Sequence, residues 1–479
     1  MPVKPIYQEH PDPEFNGNPL TEAIQVILCP EKVRSLINHT PIFVNDFHTQ
    51  PRIYQNLSIR RLSEVFVAPQ ITALLYDKFM ELILDGYRHR NPFSRTMTKF
   101  LHELSERGLL IHDDTGCKDV SSDSTSRSEG ENIKDEPELV HKIIPPGMTT
   151  APGSIVSGPS GSGKTSIIRA VLGIIPQVFT HSGYKEFKTF QQDQIVWLSF
   201  DAPTTPSTKA LCLNFMKAVD DALGIERYYP EYCRRTKNLS VDQFISAVQT
   251  IAANHYIGLV HLDEMQFFLN YSKTKDAPNL QTLEAMFNKL GIPMVISTTD
   301  GGLPLINMNE QTKRRMLSEQ HFKLGLLKPK SKEFVDFIKA LFLPEVWGQD
   351  DILKNQPEFI KEFHYRSAGL PAVMTRLARL HLFYAVQSGR PAFDTKLLES
   401  VFNSQFKYMQ DSLKALRVGD MDSYELKTFR NKDGSIAWCL EDWDEYVQSK
   451  GSQEETSESD TKNEENTSGF GLLSSEEGA

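Results

Sequence analysis

Eight residues, Gly158-Pro159-Ser160-Gly161-Ser162-Gly163-Lys164-Thr165, constrain this chain more than any other feature. They fit the pattern G-x-x-x-x-G-K-[S/T] in full, with an apolar run (154–157) directly before them and a helical stretch (166–172) directly after. A strand, a glycine-rich turn and a helix in that order make a concave nest of backbone N–H groups aimed at phosphate oxygens. The helix N-terminus adds partial positive charge. The expected phosphate contacts are Gly158, Pro159, Ser160, Gly161, Ser162, Gly163, Lys164, Thr165 and Ser166. Within this set Lys164 is expected to reach the β/γ-phosphates of ATP, and Thr165 to ligate Mg²⁺.

Such a loop needs a parallel sheet behind it, and the sequence predicts an α/β fold. Short apolar runs alternate with helical patterns between about 149 and 327: 154–157, 194–200 (QIVWLSF), 257–262 (IGLVHL), 292–297 (IPMVIS) and 321–327 (HFKLGLL) read as five strands. One intervening helix is expected to be capped by Thr205 with Pro206 at its first position. Its inward face is Leu211, Phe215, Val219 and Ala222. Another starts at Ser240 with Gln243 completing a capping box. From Ser331 the strand signal ends, and helical patterns at 331–343, 358–366, 371–388 and 395–408 predict a small all-helical domain. Residues 1–112 mix a helical pattern at 73–87 with irregular segments.

Charge becomes informative once divided along the chain. The net charge is −10, but 113–138 carries −6 and 451–479 carries −7, which leaves +3 for the part expected to fold. Both acidic stretches are rich in Ser, Glu, Asp and Asn and too poor in large apolar residues to offset chain entropy. Five cysteines far apart (Cys29, Cys117, Cys212, Cys233, Cys439) exclude a disulfide framework and a Cys-x-x-Cys zinc site. With no 18-residue apolar run and no basic-then-apolar start, neither a membrane span nor a secretory signal is expected, and the expected location is cytoplasmic.

A triphosphate site also needs acid at the tip of a second strand, and the run 257–262 ends in Asp263-Glu264. Asp263 is expected to hold the Mg²⁺ shell and Glu264 to polarise the attacking water. Thr299, with Ser297 and Thr298, ends the next strand where a polar side chain can report on the γ-phosphate. Lys313-Arg314-Arg315 precedes the last strand, and Arg314 or Arg315 is expected to enter a neighbouring copy's site in trans. In the helical domain Arg376, after Ser367-Ala368-Gly369-Leu370-Pro371, is expected over the phosphates.

This combination resembles an AAA+ P-loop ATPase of the initiator-like branch: a five-stranded parallel sheet core, a small helical lid and a mixed N-terminal region. The stretches GPSGSGKT (158–165), PQVFTH (176–181), LCLNFMKAVDDALG (211–224), GLVHLDEMQ (258–266) and GIPMVISTTD (291–300) resemble the TnsC family, with weaker likeness to MuB and TniB. That resemblance implies a bacterial, nucleoid-associated regulator of cut-and-paste transposition. It would bind ATP and double-stranded DNA and assemble into a ring or helix, expected as hexamer or heptamer. It would link a target-selection protein (TnsD/TniQ-like) to transposase subunits (TnsA/TnsB-like) and disassemble on hydrolysis. Lys164, Thr165, Asp263, Glu264, Thr299 and one of Arg314 and Arg315 occupy the matching positions.

The division that follows is 1–112, a partner-binding N-terminal region; 113–138, an acidic insertion; 139–328, the ATPase core; 329–410, the lid; 411–450, a C-terminal segment; and 451–479, an acidic tail. In the tail, Phe470, Leu472 and Leu473 are expected to dock on a transposase subunit. Duplex DNA is expected to meet Thr208 and Lys209 at a helix start, with Lys185, Lys188, Arg234, Arg235 and Lys237 as further contacts. Two other readings stay open: a nucleotide-gated signalling ATPase that binds no DNA, and a replication-initiator-like ATPase.

Overall fold

The three inner strands of the sheet are short and buried on both faces, as parallel strands between helices must be. The structure, a computed structural model, describes residues 2–24, 28–44, 46–104, 151–205, 207–271, 280–287, 290–303, 318–419, 429–430 and 436–437. Residues 1–401 form one unit and residues 402–479 a second. The acidic stretches 113–138 and 451–479, Pro206 and the Lys313-Arg314-Arg315 cluster lie outside the described residues.

In the first unit the strands are β1 (Gly153–Ser157), β2 (Val178–Tyr184), β3 (Phe187–Ile195), β4 (Trp197–Asp201), β5 (Leu259–Asp263), β6 (Met294–Thr298) and β7 (His321–Lys323). Five of them make a parallel sheet in the order β4-β5-β6-β1-β7. The predicted five-stranded parallel sheet is therefore present. The order places β1 beside β6 and one strand from β5, so the loop after β1 and the acids after β5 meet at one edge.

The run read as a single strand at 194–200 is two. Ile195 closes an antiparallel hairpin, β2–β3, and the chain starts the parallel strand β4 only at Trp197. Between them Val196 N–H donates to Gln177 O at 2.8 Å. The helix Thr208–Leu223 is capped by Ser207, whose hydroxyl accepts from Ala210 N–H, and not by Thr205. The helix Val241–Asn254 does carry the expected Ser240/Gln243 capping box.

The helices Lys332–Leu341, Pro357–Ser367 and Pro371–Ser388 follow the sheet, and Thr395–Gln405 comes after them, as the predicted lid pattern requires. The N-terminal residues are built into the core. The helix Ile71–Arg88 buries Leu75, Phe79, Leu82, Ile83 and Tyr87 in the same apolar cluster as Ile155, Leu262 and Ile296. Val3 bridges Phe179 on β2. In the second unit the helix Gln410–Arg417 buries Leu413, Ala415 and Leu416, and Phe429–Arg430 pairs antiparallel with Ile436–Ala437. Among the described residues no helix is long and apolar enough to cross a membrane.

Candidate functional site

The loop after β1 closes on itself before it closes on anything else. Gly158 has φ +154°, and a Cβ there would stand 2.4 Å from Leu324 O, so only glycine lets the loop pass under the chain after β7. Gly161 has φ +84° and faces the lid, where its carbonyl accepts from Ala372 N–H at 3.2 Å. Gly163, also at positive φ, opens the helix Lys164–Gly173, whose first-turn N–H groups face the loop's concavity. The Lys164 side chain is buried, and its ammonium donates to Gly158 O at 2.7 Å and Pro159 O at 3.1 Å. Ser162 Oγ is buried with no hydrogen-bond partner among the described residues, as a hydroxyl placed for a phosphate oxygen would be.

Asp263 ends β5 and is 2% exposed. Burial alone pushes its carboxyl up. Hydrogen bonds from Ser297, Thr165 and the Glu264 N–H outweigh that and hold it below the usual carboxylate range. The expected pair of Mg²⁺ ligands, Thr165 and Asp263, is therefore already in contact. Oxygen donors of this kind, one hydroxyl and one ionised carboxylate, suit a hard divalent cation. Glu264 follows in the left-handed region (φ +59°), which turns its half-buried carboxyl out of the strand. Burial first, and then the Asp263 charge, push it above the ordinary range. A carboxyl raised in this way is a stronger base than an ordinary one.

The phosphate loop, Thr165 and Glu264 line a cavity of about 740 Å³, a size common to small-molecule sites. The residues 160–167, Glu264 and Thr299 form one wall, and the lid residues Ala372, Thr375, Arg376 and Arg379 another. The predicted cation Arg376 thus lines the same space as Lys164. Arg379, one helical turn on, and Lys323 at the end of β7 also line it; neither was singled out in the sequence, since an isolated cation carries no pattern. The segment 65–69 and Ile71 supply an apolar wall from the N-terminal region.

Two further side chains bind the acids. Gln266 Nε2 donates to Glu264 Oε2, and Gln266 Oε1 accepts from the Thr299 N–H at 3.3 Å, so one amide bridges the β5 and β6 tips. Arg169 lies 3.9 Å from Asp263 and 3.4 Å from Asp201.

The residues 148–305 match the family model described as "AAA domain". This chain is an ATPase with the AAA+ P-loop fold. No curated protein matches it in sequence. Among solved structures, this ATPase is similar to the ORC2 protein of Aeropyrum pernix at 12% identity and TM-score 0.37, over 63% of this chain and 80% of that one. It is similar to Cdc6p of Pyrobaculum aerophilum at 14% identity and TM-score 0.31, over 66% and 92%. AMPPCP-bound DnaA of Aquifex aeolicus gives 12% identity and TM-score 0.24, over 60% and 92%. Such low values carry no functional assignment.

Five of the seven residues expected to contact DNA, Lys185, Lys188, Arg234, Arg235 and Lys237, are exposed, and Thr208 and Lys209 are not. Thr208 is buried, and the Lys209 ammonium donates to Thr236 O and Leu239 O at 2.7 and 2.6 Å, tying down the turn before the helix Val241–Asn254. Lys185 pairs with the buried Glu22 at 2.9 Å, and Arg234 and Arg235 both pair with Glu231. Lys188 and Lys237 are exposed.

Proposed function

We propose that this ATPase is a nucleotide-gated regulator of DNA transposition that assembles on double-stranded DNA. In this reading it links a target-selection protein to the transposase, and hydrolysis ends the assembly. The observation that carries the nucleotide part is the Thr165–Asp263–Glu264 group at the mouth of the phosphate loop under a helical lid. The transposition part is supported by the five TnsC-like stretches between 158 and 300.

Thr165 and Asp263 would hold Mg²⁺, which when bound neutralises charge on the phosphate oxygens. The protein does the rest. Lys164 exchanges the loop's own carbonyls for β/γ-phosphate oxygens. Glu264, its carboxyl turned toward the cavity, takes the proton of the attacking water. Arg376, with Arg379 beside it, brings positive charge from the lid, so a closed lid both excludes water and completes the site. One of Arg314 and Arg315 acts from a neighbouring copy.

The test is electron microscopy of the full chain with a non-hydrolysable ATP analogue and duplex DNA, beside a salt titration of duplex affinity. Rings or helices on DNA, with log affinity falling linearly in log salt, are expected. Nucleotide-dependent oligomers without DNA would favour the signalling reading. Isolated monomers under all conditions would refute assembly.

A further inference from the structure

The middle of β5 carries a histidine where a strand between two neighbours ordinarily carries an aliphatic side chain. His261 is fully buried, as is Ser297 on β6, and Ser199 stands directly opposite His261 on β4. An imidazole without water on either side is costly unless both ring nitrogens find partners. Here both do: Nδ1 lies 2.8 Å from Ser199 Oγ, and Nε2 lies 3.2 Å from Ser297 Oγ. Ser297 Oγ in turn reaches Asp263 Oδ1. His261 and Asp263 are two residues apart on one strand and so lie on the same side of the sheet.

Counting donors gives the chain a direction. An ionised carboxylate accepts only, so the Ser297 hydroxyl donates to Asp263. The Ser297 oxygen then accepts from His261 Nε2–H. A neutral imidazole has one N–H, so Nδ1 accepts from the Ser199 hydroxyl. Each of the three protons then has one acceptor, and none is left over.

We propose that Ser199, His261 and Ser297 form a hydrogen-bonded chain across three strands that fixes the Asp263 carboxylate for a divalent cation. The three are positioning residues, since none lines the nucleotide cavity. The proposal rests on the reading that Thr165 and Asp263 hold Mg²⁺. Outer partners of metal ligands typically account for 10–100-fold in metal affinity. Two strands besides β5 contribute to the chain, so the carboxylate is referenced to the sheet and not to the phosphate loop alone. Without the chain, Asp263 keeps Thr165 and the Glu264 N–H but loses the bond that sets its angle to the sheet.

The experiment uses the full chain and a fluorescent, non-hydrolysable ATP analogue, with affinity measured in Mg²⁺ and in EDTA. The ratio of the two affinities is the readout, and no turnover is needed. In Ser297→Ala and His261→Leu the Mg²⁺-dependent gain is expected to fall about tenfold or more, with EDTA affinity unchanged. Ser297→Thr, which keeps the hydroxyl, is expected to retain the gain. Should His261→Leu not fold, the serine pair decides alone.

A wild type with no Mg²⁺ gain would sink the metal reading itself, and the chain's role with it. A normal wild-type gain that survives Ser297→Ala would overturn the chain and leave the metal reading standing. An equal fall in Mg²⁺ and EDTA, or a loss in Ser297→Thr as large as in Ser297→Ala, would also overturn it, because either marks general damage to the site.

Discussion

At their carboxyl ends β4 and β5 present Asp201, Asp263 and Glu264; at the amino ends of the same strands Tyr87 and Arg90 hold backbone carbonyl groups. The Tyr87 hydroxyl donates to Tyr256 O at 2.8 Å and to Ile195 O at 3.2 Å. Arg90 donates to Gly86 O at 2.8 Å, to Ile257 O at 2.5 Å and to Gly258 O at 3.4 Å. No carboxylate pairs with this buried guanidinium among the described residues; burial pushes it down to about 10, and it remains cationic at neutral pH. One end is thus saturated by fixed donors and closed. The other holds Asp263, kept below the usual carboxylate range, and Glu264, whose carboxyl lines a cavity. Both ends bury charge, but only the carboxyl end leaves it unfinished by the protein.

Mutation at each end should therefore break different quantities. Glu264→Gln keeps shape and removes the base, so turnover is expected to fall about 1,000-fold while nucleotide affinity and thermal stability hold. Steady-state hydrolysis beside a binding isotherm checks this, and turnover within tenfold of wild type would remove Glu264 from the base role. Arg90→Met at the opposite end should do the reverse. It leaves buried carbonyls without donors, a penalty partly offset by no longer burying a cation, for a net destabilisation of about 3 kcal/mol. Denaturant unfolding is expected to show that loss, with turnover per folded molecule unchanged. An unaltered midpoint would mean that the buried charge costs as much as its bonds return.

How much of this was open to sequence reading follows from where each constraint resides. The phosphate loop was legible because its geometry permits few residue types: glycine at Gly158 under Leu324, lysine at Lys164, a hydroxyl at Thr165. Asp263 was legible because an acid after an apolar strand breaks a clear pattern. The hairpin β2–β3 was not, because β3 reads FKTFQQDQI, polar on an exposed face and without an apolar run until Ile195. The helix Arg52–Arg61 was missed for a similar reason. It turns Gln55 and Ser58 inward and leaves Ile53, Tyr54 and Leu57 exposed, the inverse of the usual stripe. The site's apolar wall at 65–69 is distant in sequence from the loop it faces, and no spacing rule reaches across that separation.

Acid offers a sharper test of the saturated end, because neither Tyr87 nor Arg90 changes charge between pH 7 and pH 4. In the lid His381 does. Its Nε2–H donates to Ala392 O at 2.7 Å, its ring stacks on Trp347, and burial pushes its pKa down to about 4 from the ordinary 6.5. The unfolded chain then binds the proton first as pH falls. Stability is expected to be full above about pH 6.5 and to decline until about pH 4, by about 2–3 kcal/mol for this group. His381→Gln should flatten that portion of the profile measured by denaturant unfolding at stepped pH. A slope unchanged by the substitution would assign the loss to other buried groups.

The smallest effect expected tests whether the unfinished end is held by more than its acids. Gln266 grips Glu264 with its N–H and the β6 tip with its carbonyl, so it sets the distance between the base and Thr299. Removing it leaves the Glu264 carboxyl free to rotate about a backbone already in the left-handed region, without touching Lys164 or Thr165. Gln266→Ala should therefore lower kcat about tenfold at unchanged KM, about 1.4 kcal/mol of transition-state stabilisation. Gln266→Glu, which sets a second carboxylate against the first, should lower it further. A change in KM with kcat intact would place Gln266 in nucleotide binding, and the bridge between strand tips would then have no part in turnover.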